Sequence, residues 1–260
     1  MPPPVDTECS MEGKPPFYQS LMDGEFYGND PDLQDAGWGD CKTRPDMTTE
    51  DIQKLRASYY GMVALMDHHI GRILDELERR SILDDTVIIF TSDHGDYLGD
   101  HDLWGKGLPA YEQMQRVPMI VSHPNCETRG KVSHALQSVV DLPATLMSMA
   151  SLDRATGDQG VDQSPAWING DTSVRDWAML EFQPSMGSFS QRTYIEDNHK
   201  LVLYARRDYG ELYDLANDPD QKTNLFDDPA SKQIKDDIIR RFATAEMEKD
   251  GQMRPRTAYA

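Results

Sequence analysis

Apolar residues at Tyr59, Val63, Met66, Ile70, Ile73, Leu74 and Leu77 recur at close to helical spacing and predict a long amphipathic helix over about 49–80. Thr48-Thr49-Glu50-Asp51 marks its start, with a hydroxyl cap and acids in the first turn. The short connection Ser81–Asp85 then leads into Thr86-Val87-Ile88-Ile89-Phe90-Thr91. This β-branched and aromatic run ends abruptly in small and charged residues, which predicts a buried parallel strand opening into a loop. A second buried strand is expected over Arg116–Val121, and a helix from Asp141 and Pro143 to Met149. Residues 151–176, punctuated by Gly157, Gly160, Pro165 and Gly170, read as loop.

Beyond Trp177 the pattern shifts to short alternating runs. Ala178–Phe182, Arg192–Ile195, Lys200–Tyr204 and Glu211–Leu215 read as antiparallel strands, with a tight turn at Asp197-Asn198-His199. A last helix opens at Asp228-Pro229 and presents Ile234, Ile238 and Phe242 on one face. The first 47 residues sustain neither a period of 2 nor one of 3.6. They read as an irregular strap whose aromatics, Phe17, Tyr18, Phe26, Tyr27 and Trp38, anchor it to something else. Three segments follow: an irregular N-terminal piece at 1–47, an α/β core portion at 48–175 and a C-terminal α+β subdomain at 176–260.

Composition narrows the function classes. Of 260 residues, 26 are Lys or Arg and 45 are Asp or Glu, a net charge of −19 that argues against nucleic acid or an anionic membrane surface as partner. Any anionic substrate must be drawn to a local cationic site against that field. No apolar run is long enough to span a bilayer, and Met-Pro-Pro-Pro-Val-Asp lacks signal-peptide regions, so the chain as written is expected in the cytoplasm. Cys9, Cys41 and Cys126 form neither a disulfide framework nor a zinc pattern.

The candidate chemistry lies past the first strand, where open α/β sheets place their sites. Asp93 and His94 sit where a hard metal ion can be held, and Gly95 lets the backbone turn away. The alternative is an Asp capping a turn beside a His that only hydrogen-bonds locally. Lys106, between Gly105 and Gly107, is placed to give a point charge to a sulfuryl or phosphoryl oxygen, or is a surface lysine in a loop. His101 contacts the ester oxygen, protonates the leaving group or braces the loop. Glu112 and Arg116 read as a buried pair that orients the lysine loop. Asp67, His68 and His69 read as helix-surface polar contacts rather than ligands.

Taken in order, Tyr60-Gly61…Asp67…Ile70-Gly71, Asp85–Asp96, Gly105-Lys106-Gly107, Arg116-Val117-Pro118, Asp141–Leu146 and Gly210–Leu215 with Asp218-Pro219 and Asn224-Leu225 resemble the second half of the sulfatase family, within the alkaline phosphatase superfamily. The resemblance implies a partial sulfatase-like α/β fold with a mixed or parallel sheet, flanking helices and a small C-terminal antiparallel β-plus-helix subdomain. It implies sulfate-ester hydrolysis with Asp93 and His94 on Ca²⁺ (Mg²⁺ or Mn²⁺ less favoured), and Lys106 and His101 as catalytic and substrate-binding residues. The substrate is then a sulfate ester of a small molecule or carbohydrate. The family's nucleophile is a formylglycine made in a Cys/Ser-x-Pro-x-Arg motif, which this sequence lacks, as it lacks the early Asp-Asp pair of the metal site. The family's first half is therefore expected from elsewhere, through a partner chain or a longer frame, with homo-oligomerisation a further possibility and little activity for the chain alone. Two other readings remain open: a phosphodiester or phosphonate hydrolase of the same superfamily, and a non-catalytic metal-binding or interaction protein.

Overall fold

The computed structural model describes residues 4, 11–23, 44, 46–127, 129–170, 173–183 and 189–251. The α/β character and the C-terminal antiparallel sheet with its helix are both present. Phe26, Tyr27, Trp38, Cys9 and Cys41 lie outside the described residues.

Helix α1 (Phe17–Met22) buries Phe17, Tyr18 and Leu21, so the two aromatic anchors within reach of description do enter a core. Helix α2 (Thr49–Arg79) starts where its cap predicts: the Thr48 side chain accepts from the Asp51 N–H, and the Asp51 carboxylate accepts from the Thr48 N–H. A 3₁₀ turn at Leu83–Asp85 hands the chain to β1 (Ile88–Thr91). After a long loop come the short helix α3 (Glu112–Gln115) and β2 (Met119–Ser122).

Three expectations are corrected here. Strand β1 does not run parallel to its neighbour: it pairs antiparallel with β2, Ile88 opposite Ser122 and Thr91 opposite Met119. Neither strand is buried, since every residue of β1 and β2 is half-buried or exposed; an apolar run marks surface suited to burial but fixes neither its cover nor the direction of its partner. Nor is 151–176 wholly loop. Beyond α4 (Asp141–Met149), helix α5 (Ser164–Asn169) forms with Pro165 in its first turn, where the missing N–H costs nothing, and buries Trp167.

The second sheet has the order β3 (Trp177–Phe182), β4 (Gln191–Glu196), β5 (His199–Tyr204), β6 (Gly210–Asp214), antiparallel throughout. Asp197 and Asn198 both take positive φ, the two-residue hairpin geometry that matches strand twist. Alternation along β5 divides the sheet's faces. Leu201 joins Tyr194, Leu212 and Ile238 under α6 (Lys232–Gly251), whose Ile234 and Phe242 pack there as their spacing predicts. Val202 and Tyr204 face the other way, into a core shared with α1 and with Tyr97, Leu103, Leu108 and Tyr111 of the long loop. The loop between β1 and β2 is therefore gripped by the C-terminal sheet. Among the described residues, no helix is long and apolar enough to cross a membrane.

Candidate functional site

The site begins where β1 runs out of ladder partners. Asp93 Oδ1 accepts from the His94 N–H at 2.9 Å and from Ser92 Oγ at 3.2 Å. The His94 N–H bond, with further backbone donation and the nearby imidazole, holds the Asp93 carboxyl below the usual carboxylate range. His94 Nδ1 lies 2.8 Å from the carbonyl oxygen of Gly95. A carbonyl only accepts, so Nδ1 carries the hydrogen and Nε2 presents its lone pair. That nitrogen faces two groups: Asp93 Oδ2 at 3.6 Å and Lys106 Nζ at 3.4 Å.

Lys106 reaches this place because its loop is fastened to the strand end. The Gly95 N–H donates to the Met114 carbonyl at 2.9 Å, and a Cβ on Gly95 would sit 1.8 Å from the Gln113 carbonyl oxygen. Only glycine permits that approach. Gly105 and Gly107 flank the lysine with φ of 80° and 118°, a backbone that L side chains rarely adopt. Tyr97, fully buried, donates its hydroxyl to the carbonyls of Gly107 and Pro109, and its N–H to that of Gly105. From the other side, the Arg56 guanidinium of α2 donates to the Leu98 carbonyl at 2.7 Å and lies 3.4 Å from the Asp100 carboxylate.

The remaining residues singled out in the sequence fall elsewhere. His101 is fully buried, its ring stacked on Tyr111 at 3.7 Å and 3°. Burial, with Lys14 nearby, lowers its pKa to about 4, so it stands in the core as a neutral imidazole. Glu112 does not pair with Arg116. It binds Lys200 at 2.9 Å, and that lysine is completely buried in β5. Burial lowers the Lys200 pKa and Glu112 opposes the shift. The pair ties the end of the lysine loop to the C-terminal sheet, a link of 88 residues in sequence that no local pattern signals. His68 and His69 lie exposed on α2, one ring edge-on to the other.

A cavity of about 170 Å³ adjoins the site, lined by Asp93 and His94 and also by Gln115, Phe182, Gln191 and Thr193. These last four carry no motif. No local pattern marks them, because Phe182 comes from β3, Gln191 and Thr193 from β4 and Gln115 from α3, and only the fold brings the three elements together.

Asp93 and His94 fit a divalent cation as two of its donors, one hard carboxylate and one imidazole with its tautomer fixed. They do not make a whole cage: among the described residues no group of three His, Cys, Asp or Glu side chains converges to hold a metal.

The profile of the Sulfatase family matches residues 11–152, more than half of the chain. The chain belongs to the sulfatase family. A second profile, N-sulphoglucosamine sulphohydrolase, C-terminal, matches residues 99–248. An N-acetylglucosamine-6-O-sulfatase of Bacteroides thetaiotaomicron is 31% identical over 195 residues, which cover 72% of this chain and 35% of that protein. A solved sulfatase-like structure in complex with its substrate D-glucosamine-2-N,6-O-disulfate is 27% identical with a TM-score of 0.67, covering 73% of this chain and 40% of the other. The phosphonate monoester hydrolase of Agrobacterium radiobacter is also 27% identical, with a TM-score of 0.71 and coverage of 80% and 44%. The chain thus spans less than half the length of the curated relatives it matches.

Proposed function

We propose that this chain supplies one half of a sulfate-ester hydrolase site, in which Asp93 and His94 hold a calcium ion and Lys106 holds the sulfate. One observation carries the reading: Lys106 Nζ lies within hydrogen-bond reach, 3.4 Å, of His94 Nε2, so the ammonium and the imidazole meet at one point beside the Asp93 carboxylate. A bound cation, when present, adds positive charge at that nitrogen and withdraws electron density from the oxygens of the ester. An ammonium so close to a cation is tolerated only with an anion between them, and a tetrahedral oxyanion fills that role. Lys106 then binds a sulfate oxygen and stabilises the charge that grows on it as the S–O bond breaks. His101 acts by holding the loop.

The nucleophile and further metal carboxylates come from the other half of the fold. We assign that half to the apolar face left open by α2, β1 and β2. The chain alone therefore turns over aryl sulfates little or not at all, with or without Ca²⁺, and robust turnover by it overturns this reading. Joined to the first half of a related sulfatase, it hydrolyses aryl sulfates, and Lys106→Ala removes most of that activity. The likeness to a phosphonate monoester hydrolase supports a second reading, in which the same cationic pair holds a phosphonate ester. Assaying the joined protein on both ester types decides between them by the ratio of kcat/KM.

A further inference from the structure

Lys14 belongs to no motif, yet three buried rings gather around its ammonium: the ring centres of Tyr18, Tyr111 and Tyr213 lie 5.8, 5.0 and 4.9 Å from Nζ. The ammonium donates to the Tyr213 hydroxyl at 3.0 Å and to the Gln221 backbone carbonyl at 2.9 Å. Tyr213 in turn donates to Glu211, a buried carboxylate that also accepts from the hydroxyls of Tyr204 and, at 3.0 Å, Tyr18. Burial and that carboxylate push all three phenols well above their ordinary range, so each stays a donor. A carboxylate held among phenols in the core calls for a cation nearby. Lys200 is engaged by Glu112, and Lys14 brings a second cation from the far end of the chain.

The same lysine meets the loop of Lys106 at both of its fastenings. One is Tyr111, whose ring stacks on His101 and stands edge-on to Tyr97 at 6.4 Å. Tyr97 holds the carbonyls on either side of Lys106. The other is Gln221, fully buried, whose side-chain oxygen accepts the Glu112 N–H at 2.7 Å. That N–H opens α3, a helix whose own cap residue, Tyr111, makes no side-chain capping bond. Gln221 therefore caps α3 from a distant loop, and α3 in turn receives the Gly95 N–H at Met114. We infer that Lys14 is a positioning residue for the anion site: by holding Tyr111 and Gln221 together it sets where the lysine loop meets α3, and so the distance from Lys106 to His94. Its consequence for sulfate rests on the reading of Lys106 as the sulfate-binding lysine.

The test uses the full chain, the nitrogen NMR signal of His94 Nε2, which feels the ammonium 3.4 Å away, and the affinity for inorganic sulfate. Lys106→Ala gives the shift of that signal when the ammonium is gone. Lys14→Met keeps the length of the side chain and removes its charge and donors. It should move the signal in the same direction and weaken sulfate binding about fivefold. Lys14→Arg, which keeps charge and donors, should stay close to the parent on both readouts. Gln221→Leu should act as Lys14→Met does, and stands in for it if that variant fails to fold. The double variant should be little worse than Lys14→Met alone, because both changes cut one connection. Ile238→Val trims the core under α6, away from Lys14, and should lower the urea midpoint while moving neither readout. A Lys14→Met variant that behaves like Ile238→Val, losses that add in the double variant, or a His94 signal indifferent to Lys106→Ala would each overturn the positioning role. If the signal follows Lys14 while sulfate affinity ignores both lysines, the positioning role stands and the sulfate reading falls.

Discussion

Gly95 and His101 fix the lysine loop by opposite means, one by having no side chain and the other by burying one. A methyl group on Gly95 meets the Gln113 carbonyl at 1.8 Å, a clash with backbone that no rotamer relieves. Gly95→Ala should cost about 3 kcal/mol by urea denaturation and displace Lys106 from His94. His101 makes stability depend on pH. Its folded pKa, about 4, lies below the ordinary 6.5, so between those values the unfolded chain binds the extra proton. Stability therefore rises with pH through that window, and about 3 kcal/mol is lost as pH falls from 6.5 to 4. Urea midpoints across this range should follow that slope, and His101→Asn, which tolerates the local φ of 54°, should flatten it. The motif residues were legible because Asp93, His94 and Lys106 lie within one loop. The amides of Gln115 and Gln191 were not, because only tertiary folding brings α3 to β4.

Elements with local signals follow the sequence closely. Helix α2 begins at its capping box, and the Asp197-Asn198 hairpin and the α6 stripe lie where turn chemistry and periodicity put them. Elements whose fate depends on distant chain do not. The direction of β1 is set by β2, and the partner of Glu112 is a lysine three strands away rather than the arginine one turn on. Because Lys200 is wholly buried, removing one member strands a charge. Glu112→Gln should cost about 3 kcal/mol, and the double variant Glu112→Gln with Lys200→Met should cost less than Glu112→Gln alone. A double-mutant cycle in urea checks this, and additive losses would show that the two residues do not act as a pair.

The chain as a whole has an unusual surface. Met62, Leu65, Met66 and Ile73 of α2 are each more than half exposed, as is Ile120 of β2, and Phe90 of β1 is exposed at 37%. Monomeric proteins rarely leave such residues together. Among the described residues, β1 and β2 form a two-stranded sheet in which each pairs only with the other. This is the face we assigned to the other half of the fold. Without that cover the purified chain should self-associate despite its net charge of −19, and salt should strengthen the association. Ile73→Lys with Ile120→Lys should return it toward a monomer in analytical ultracentrifugation with little change in urea midpoint.

The central claim is that the end of β1 and the lysine loop meet around one cation-bound oxyanion. Calorimetric titration of the full chain with inorganic sulfate, with and without Ca²⁺, tests it most directly. Each ion should raise the affinity for the other by the same factor, as linkage demands, and Lys106→Ala should weaken sulfate binding about tenfold while leaving Ca²⁺ binding in place. Sulfate affinity indifferent to both calcium and Lys106 would contradict it.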